Sequence, residues 1–209
     1  MTDGSTQGRG TDREPVPWAA PDAGDEVATL LGALEAQRAT FAWKVAGLDH
    51  DALTTRVAAS SITLGGLVKH LALVEVLWFC TSLVGERPGE PWESVDWDAS
   101  PEWPWTSAAD DEPEELYALW RTSVERARVG VAAALADGGL DHLTVWSPDE
   151  DAPRVSLRRV LADLIQEYAR HTGHADLYRE AIDGLVGQDP EVPPDLYPVP
   201  ASGRPGPSG

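Results

Sequence analysis

The chain carries a single cysteine, Cys80, which excludes an intramolecular disulfide framework and fits a reducing compartment. A lone thiol can be a nucleophile, but a small buried apolar side chain is its simpler role. Cationic residues are also scarce: 16 Lys and Arg face 35 Asp and Glu, for a formal net charge of -19. A surface of that sign repels phosphate backbones and anionic bilayers, so neither nucleic acid nor membrane is expected as a partner. No cationic leader followed by an apolar stretch opens the chain, and no run of about 18 apolar residues follows. The expected setting is therefore the cytoplasm. Several catalytic signatures are missing as well. There is no His-Glu-x-x-His of a zincin, no paired Glu-x-x-His of a di-iron bundle and no Gly-x-Ser-x-Gly elbow of a hydrolase. Gly65-Gly66 lacks the Lys-Ser/Thr that would make it a phosphate loop. Phenylalanine is rare, with two residues, whereas the nine tryptophans supply most of the large aromatic surface. A ring with a broad apolar face and one donor suits pocket walls as well as cores.

Length and patterning predict one domain over residues 24–188 with a tail at each end. Residues 1–23 are rich in Gly, Thr, Asp, Arg and Pro and lack a helical apolar stripe, so they read as a flexible tail, with Trp18 expected to be loose rather than docked on the bundle, which is the alternative. From about 25 to 46, Val27, Leu30, Leu31, Leu34, Phe41 and Val45 recur at helical spacing, and Gly47 can close the helix. His50 follows in a polar connector as an exposed imidazole. A second helix, capped by Ser61 or Thr63, runs to about 84 before Gly85. Residues 86–111 interleave Pro88, Pro91, Pro101 and Pro104 with Trp92, Trp97, Trp103 and Trp105. The prolines rule out a continuous helix, and a connection this long is either a cover over a pocket or a strap pinned by its rings. A third helix spans about 113–136, with Leu116, Leu119, Trp120, Val124, Ala127, Val131 and Leu135 facing inward. Its acidic start, residues 110–115, complements the helix N-terminus. A connector follows in which His142 reads as a surface residue, and then a fourth helix from about 155 to 184. Residues 189–209 are Pro-rich and read as a solvated extension.

The fourth helix contains Glu167-Tyr-Ala-Arg-His171-Thr-Gly-His174. At ~100° per residue, the i, i+4, i+7 spacing puts Glu167, His171 and His174 on one stripe, close to Val160, Leu164 and Tyr178. The carboxylate and imidazoles should therefore face the interior, where an unpartnered charge is costly. One solution is a metal ion, which suits a carboxylate and two imidazoles together. Another is mutual hydrogen bonding without an ion, and the stripe alone leaves both open. A further imidazole comes from the second helix, where His70 shares an apolar stripe with Leu67, Val74 and Leu77. Glu75 points away from His70 and is expected to contact a loop.

These two segments resemble the DinB-like four-helix bundles, which include the mycothiol-dependent maleylpyruvate isomerase and related thiol transferases. The resemblance rests on Ser61-Ile-Thr-Leu-Gly-Gly-Leu-Val-Lys-His70-Leu-Ala-Leu-Val-Glu75-Val-Leu-Trp78-Phe. It rests equally on Leu157-Arg and on the run from Glu167 to Gly184, and it covers roughly residues 25–188. It implies an all-α fold, a DinB-like four-helix bundle with the Trp- and Pro-rich crossover between helices two and three. It also implies a divalent metal held by one histidine of the second helix and two residues four apart on the last. Carried over position by position, these are His70, Glu167 and His171. His174 falls where many relatives have glutamine, and Asp163 where relatives of this branch often have histidine. These two are the residues expected to serve catalysis, by orienting His171 or the substrate, with His174 as an alternative ligand to the metal.

Three protein ligands leave a coordination position open, as in reactive zinc sites. Zinc (Zn2+) is the expected ion, and nickel, iron or manganese also accept this donor set. The activity implied by the resemblance is transfer of a low-molecular-weight thiol, such as mycothiol or bacillithiol, to a small electrophile, by a monomer or homodimer. A bundle that holds metal only for stability, a small-molecule scaffold and a metal-dependent hydrolase using water are the alternatives, since a fold does not establish an activity.

Overall fold

The computed structural model describes residues 18–147, 152–192 and 194–200. Among them the chain forms the expected all-α fold, with one isolated bridge between Leu143 and Ser156 and no strand. Helix starts follow local chemistry. The Asp25 carboxylate accepts from the Ala28 amide at 2.8 Å and opens α1 (Glu26–Val45), meeting a donor that the first turn leaves unsatisfied. The connector expected at His50 is instead a short helix, α2 (His50–Thr54), because Asp49 caps it by accepting from the Ala52 amide at 2.9 Å. The Thr63 hydroxyl accepts from the Gly66 amide at 3.0 Å and starts α3 (Leu64–Glu75), which continues as a π-helical stretch, Val76–Ser82. After the short α4 (Trp103–Ser107), α5 (Pro113–Gly138) opens where the Glu115 carboxylate reaches back to accept from the Glu112 amide at 3.1 Å. Ser156 caps α6 (Leu157–Asp183), which Gly184 closes in the left-handed conformation at φ 79°.

Polar contacts fix the helix directions. Arg158 near the start of α6 meets Glu26 at the start of α1, and Arg179 near its end reaches the Lys44 and Ala46 carbonyls. Thus α1 and α6 run parallel. So do α3 and α5: Lys69 pairs with Asp111 just before α5, while Gly130, far along α5, lies against Phe79. A Cβ at Gly130 would sit 2.4 Å from the Phe79 carbonyl oxygen, so only glycine lets α5 touch the π-helical stretch. The two pairs are antiparallel to each other, as Tyr178 late in α6 donates to the Ile62 carbonyl before α3 at 2.7 Å.

Consecutive long helices that point the same way need a return connection. α3 with its π-helical extension is ~28 Å long at about 1.5 Å per residue, and residues 86–111 make that return. The crossover is pinned on arrival. The buried Lys69 ammonium lies 4.1 Å from the Trp103 ring centroid, and Trp103 meets Trp92 edge-on at 5.9 Å. Trp97, 36% exposed, packs on Trp103 from outside.

Three expectations are corrected. Glu75 contacts no loop; it is fully buried and clasped from α1 by Arg38, whose Nε and Nη2 donate at 2.7 and 2.6 Å. The Tyr168 hydroxyl of α6 donates to Glu75 at 2.6 Å and accepts from Trp120 Nε1 of α5 at 3.0 Å, so all four long helices share one polar cluster. Trp18 is not loose but buried, edge-on to Tyr197 at 6.2 Å. Nor are residues 194–200 merely solvated, since Leu196 and Tyr197 are buried and Tyr197 donates to Glu35 at 2.6 Å. Single aromatics among prolines have no periodicity, so pattern reading cannot see that they dock. Leu64–Ser82 has the length and mean hydropathy of a membrane-crossing helix, but Lys69, His70 and Glu75 interrupt its apolar run and most of it is buried inside the bundle.

Candidate metal centre

His70 stands two turns into α3, and Glu167 and His171 stand one turn apart on α6. The antiparallel crossing of these helices brings them together. Nε2 of His70 and Nε2 of His171 each lie 3.0 Å from the same Glu167 oxygen, Oε1, and the two imidazole centroids are 4.9 Å apart. One donor atom from each residue lies within 4.8 Å of the others. These distances fit a divalent ion. Bonds of about 2.1 Å in a tetrahedral site put ligand atoms ~3.4 Å apart, so the contacts need open only slightly to admit one. Two imidazole nitrogens and a carboxylate oxygen form a donor set suited to zinc and its first-row neighbours.

Electrostatics favour ligand-ready protonation states. Burial works against the charge of Glu167, but hydrogen bonds and attraction from His70 and His171 outweigh it and hold the carboxyl below its ordinary range. Burial first, and then the neighbouring His70, push the His171 imidazole below its ordinary value against the pull of Glu167. His171 therefore keeps a neutral ring to lower pH than a free imidazole. Its Nδ1 lies 3.3 Å from His174 Nδ1. Of two facing ring nitrogens, one donates and one accepts; when His171 donates, its Nε2 keeps the lone pair that a metal ligand needs.

The other singled-out residues sit elsewhere. Asp163, one turn before Glu167, accepts from Arg159 Nε at 2.7 and 2.8 Å and makes no contact with the imidazoles. Cys80 is fully buried and burial pushes its thiol up to about 11, so it is not poised as a thiolate. The His50 Nε2 meets the Ala109 carbonyl at 3.0 Å, and His142 pairs with Asp137.

A cavity of about 460 Å³ adjoins the cluster, with buried His171 and half-buried Trp105 and Ile62 inside and Arg56, Glu102 and Thr106 at its exposed rim. A larger cavity of about 810 Å³ lies away from the imidazoles, over Leu31, Glu35, Arg128 and Pro198. Its polar floor is already engaged, with Glu35 bonded to Arg38, Arg128 and Tyr197. The smaller cavity is the one that meets reactive side chains. Sequence reasoning marked the crossover but not which ring matters: Trp105 alone of its four tryptophans stacks on His70, centroids 4.4 Å apart and planes at 23°. Arg56 at the rim carries no signal in the sequence at all.

The family described as MST: Mycothiol-S-transferase matches residues 29–184, a span that contains His70, Glu167 and His171. The chain belongs to that family. No curated protein matches it.

Proposed function

We propose that this member of the mycothiol S-transferase family activates a low-molecular-weight thiol, mycothiol or a close analogue, at His70, Glu167 and His171 and transfers it to a small electrophile. The observation that carries this reading is the convergence of three metal-ligating side chains beside a cavity of about 460 Å³. A divalent cation, zinc by preference, supplies the charge that lets a thiol lose its proton near neutral pH without a dedicated protein base.

The chain's own residues do the remaining work. Glu167 would offset part of the cation's charge, and His70 and His171, from two different helices, would hold it. His174 orients His171 through Nδ1, the role expected of it; Asp163, held by Arg159, has no such path. Trp105 and Ile62 keep water from the inner wall, and the polar rim faces the parts of the reactants that stay hydrated. In the transfer, the thiol S–H bond breaks and the sulfur electron pair forms a bond to the electrophilic carbon. The displaced pair leaves with a halide, or moves to an epoxide oxygen or the far carbon of an activated double bond, which then takes up the proton.

The test is metal analysis of the purified full chain, followed by conjugation assays with monochlorobimane in the presence and absence of thiol. We expect a stoichiometric divalent ion and turnover that needs both ion and thiol. His70→Ala and His171→Ala should lose most of the metal and the rate. If stripping the ion lowers the melting temperature while thiols neither bind nor react, the ion is structural; turnover of ester or amide substrates without thiol would mark a hydrolase.

A further inference from the structure

The crossover does more than return the chain. A Cβ at Gly66 would lie 3.2 Å from Trp105 Cε3 and 3.5 Å from the Trp105 carbonyl oxygen, and one at Gly65 would lie 3.7 Å from the Ala108 carbonyl oxygen. The backbone of α4 and of Ala108 just after it thus settles directly on the first turn of α3 because Gly65 and Gly66 there lack side chains. Lys69 locks the arrangement through Asp111 at 2.5 Å and the Trp103 ring at 4.1 Å. Trp105, between these anchors, is pressed flat onto His70 at 4.4 Å and lies 5.9 Å from His171.

A ligating imidazole is normally held by a hydrogen bond to its second nitrogen, which fixes the plane of the ring. His171 has that partner in His174. His70 does not: its Nε2 meets Glu167, and among the described residues no hydrogen bond reaches its Nδ1. The flat face of Trp105 is what restrains this ring. We propose that Trp105 is the positioning residue of His70, holding by stacking the plane that His174 holds for His171 by hydrogen bonding. This rests on His70 being a metal ligand.

Zinc affinity, measured by competition with a chromophoric chelator, should fall about 10-fold or more in Trp105→Leu, the range for losing an outer partner of a metal ligand. Leucine keeps apolar bulk but has no flat face, so a merely structural role would survive it. Trp105→Phe should recover most of the affinity. In metal-free protein, the upfield ring-current shift of the His70 ring protons should vanish in Trp105→Leu and persist in Trp105→Phe. Wild-type zinc affinity in Trp105→Leu, or equal loss in both variants, overturns the proposal. His70→Ala separates the layers. If it leaves zinc binding intact, the metal reading fails; if it abolishes binding while Trp105→Leu changes nothing, only the positioning role fails.

Discussion

Two polar clusters join α3 to α6, and they differ in kind. Glu75 and Tyr168 form one, with Arg38 reaching in from α1; His70, Glu167 and His171 form the other. On α6 the two clusters are adjacent in sequence, Glu167 beside Tyr168. In the first, Glu75 is 0% exposed, both its oxygens are bonded, and the Tyr168 hydroxyl both donates and accepts. Nothing is left over for a ligand. In the second, the Glu167 side chain is 29% exposed, one carboxylate oxygen serves two imidazoles, and a cavity lies alongside. Saturation and burial make a staple; unspent donor atoms at a cavity edge make a candidate site. A rotation of one residue along α6 separates the two.

Breaking the staple should have the largest effect. Arg38→Met leaves Glu75 as an unpaired buried charge and should cost about 3–5 kcal/mol in urea unfolding. Adding Glu75→Leu should recover much of that, because the stranded charge is gone; a cost under about 1 kcal/mol for Arg38→Met alone would erase the distinction. The staple extends outward to Glu35. Burial favours the neutral acid there, but Arg38 and Arg128 outweigh it and lower the pKa from 4.5 to about 2. A depressed carboxyl stabilises the fold above its unfolded value and loses that contribution as pH falls through the folded one. Glu35→Gln should therefore cost about 3 kcal/mol near pH 6, with the difference from wild type closing between about pH 4.5 and 2.

The candidate site should respond differently. His174→Ala should weaken zinc binding by about 10-fold in the same chelator competition, with little change in the urea midpoint of metal-free protein. A matching loss of fold stability would mean that these imidazoles are also part of the staple. Asp163→Ala should do least, because Arg159 is 70% exposed: within about 0.5 kcal/mol of wild-type stability and unchanged zinc affinity. A clear fall in zinc affinity for that variant would restore Asp163 to the site.

Much of the bundle was legible in the sequence because helices are local objects. The period of apolar residues outlined the four long ones, and Asp25, Thr63 and Gly184 marked ends that the structure keeps. The spacing of Glu167, His171 and His174 put them on one face of one helix, since backbone geometry alone sets that angle. What lies across from a face depends on how helices pack, and no spacing along one segment carries it. The residues of α1, α3 and α6 individually do not say that Glu75 would find Arg38, that Tyr197 would close over Glu35, or that Trp105 would be the ring laid on His70. The parallel run of α3 and α5 forces a long return, and tight seating on glycine chooses which tryptophan arrives at the imidazole. The chain's local pattern determined the helices and the face that carries the ligating groups; the tertiary structure decided which polar groups became saturated and which were left with donor atoms to spare.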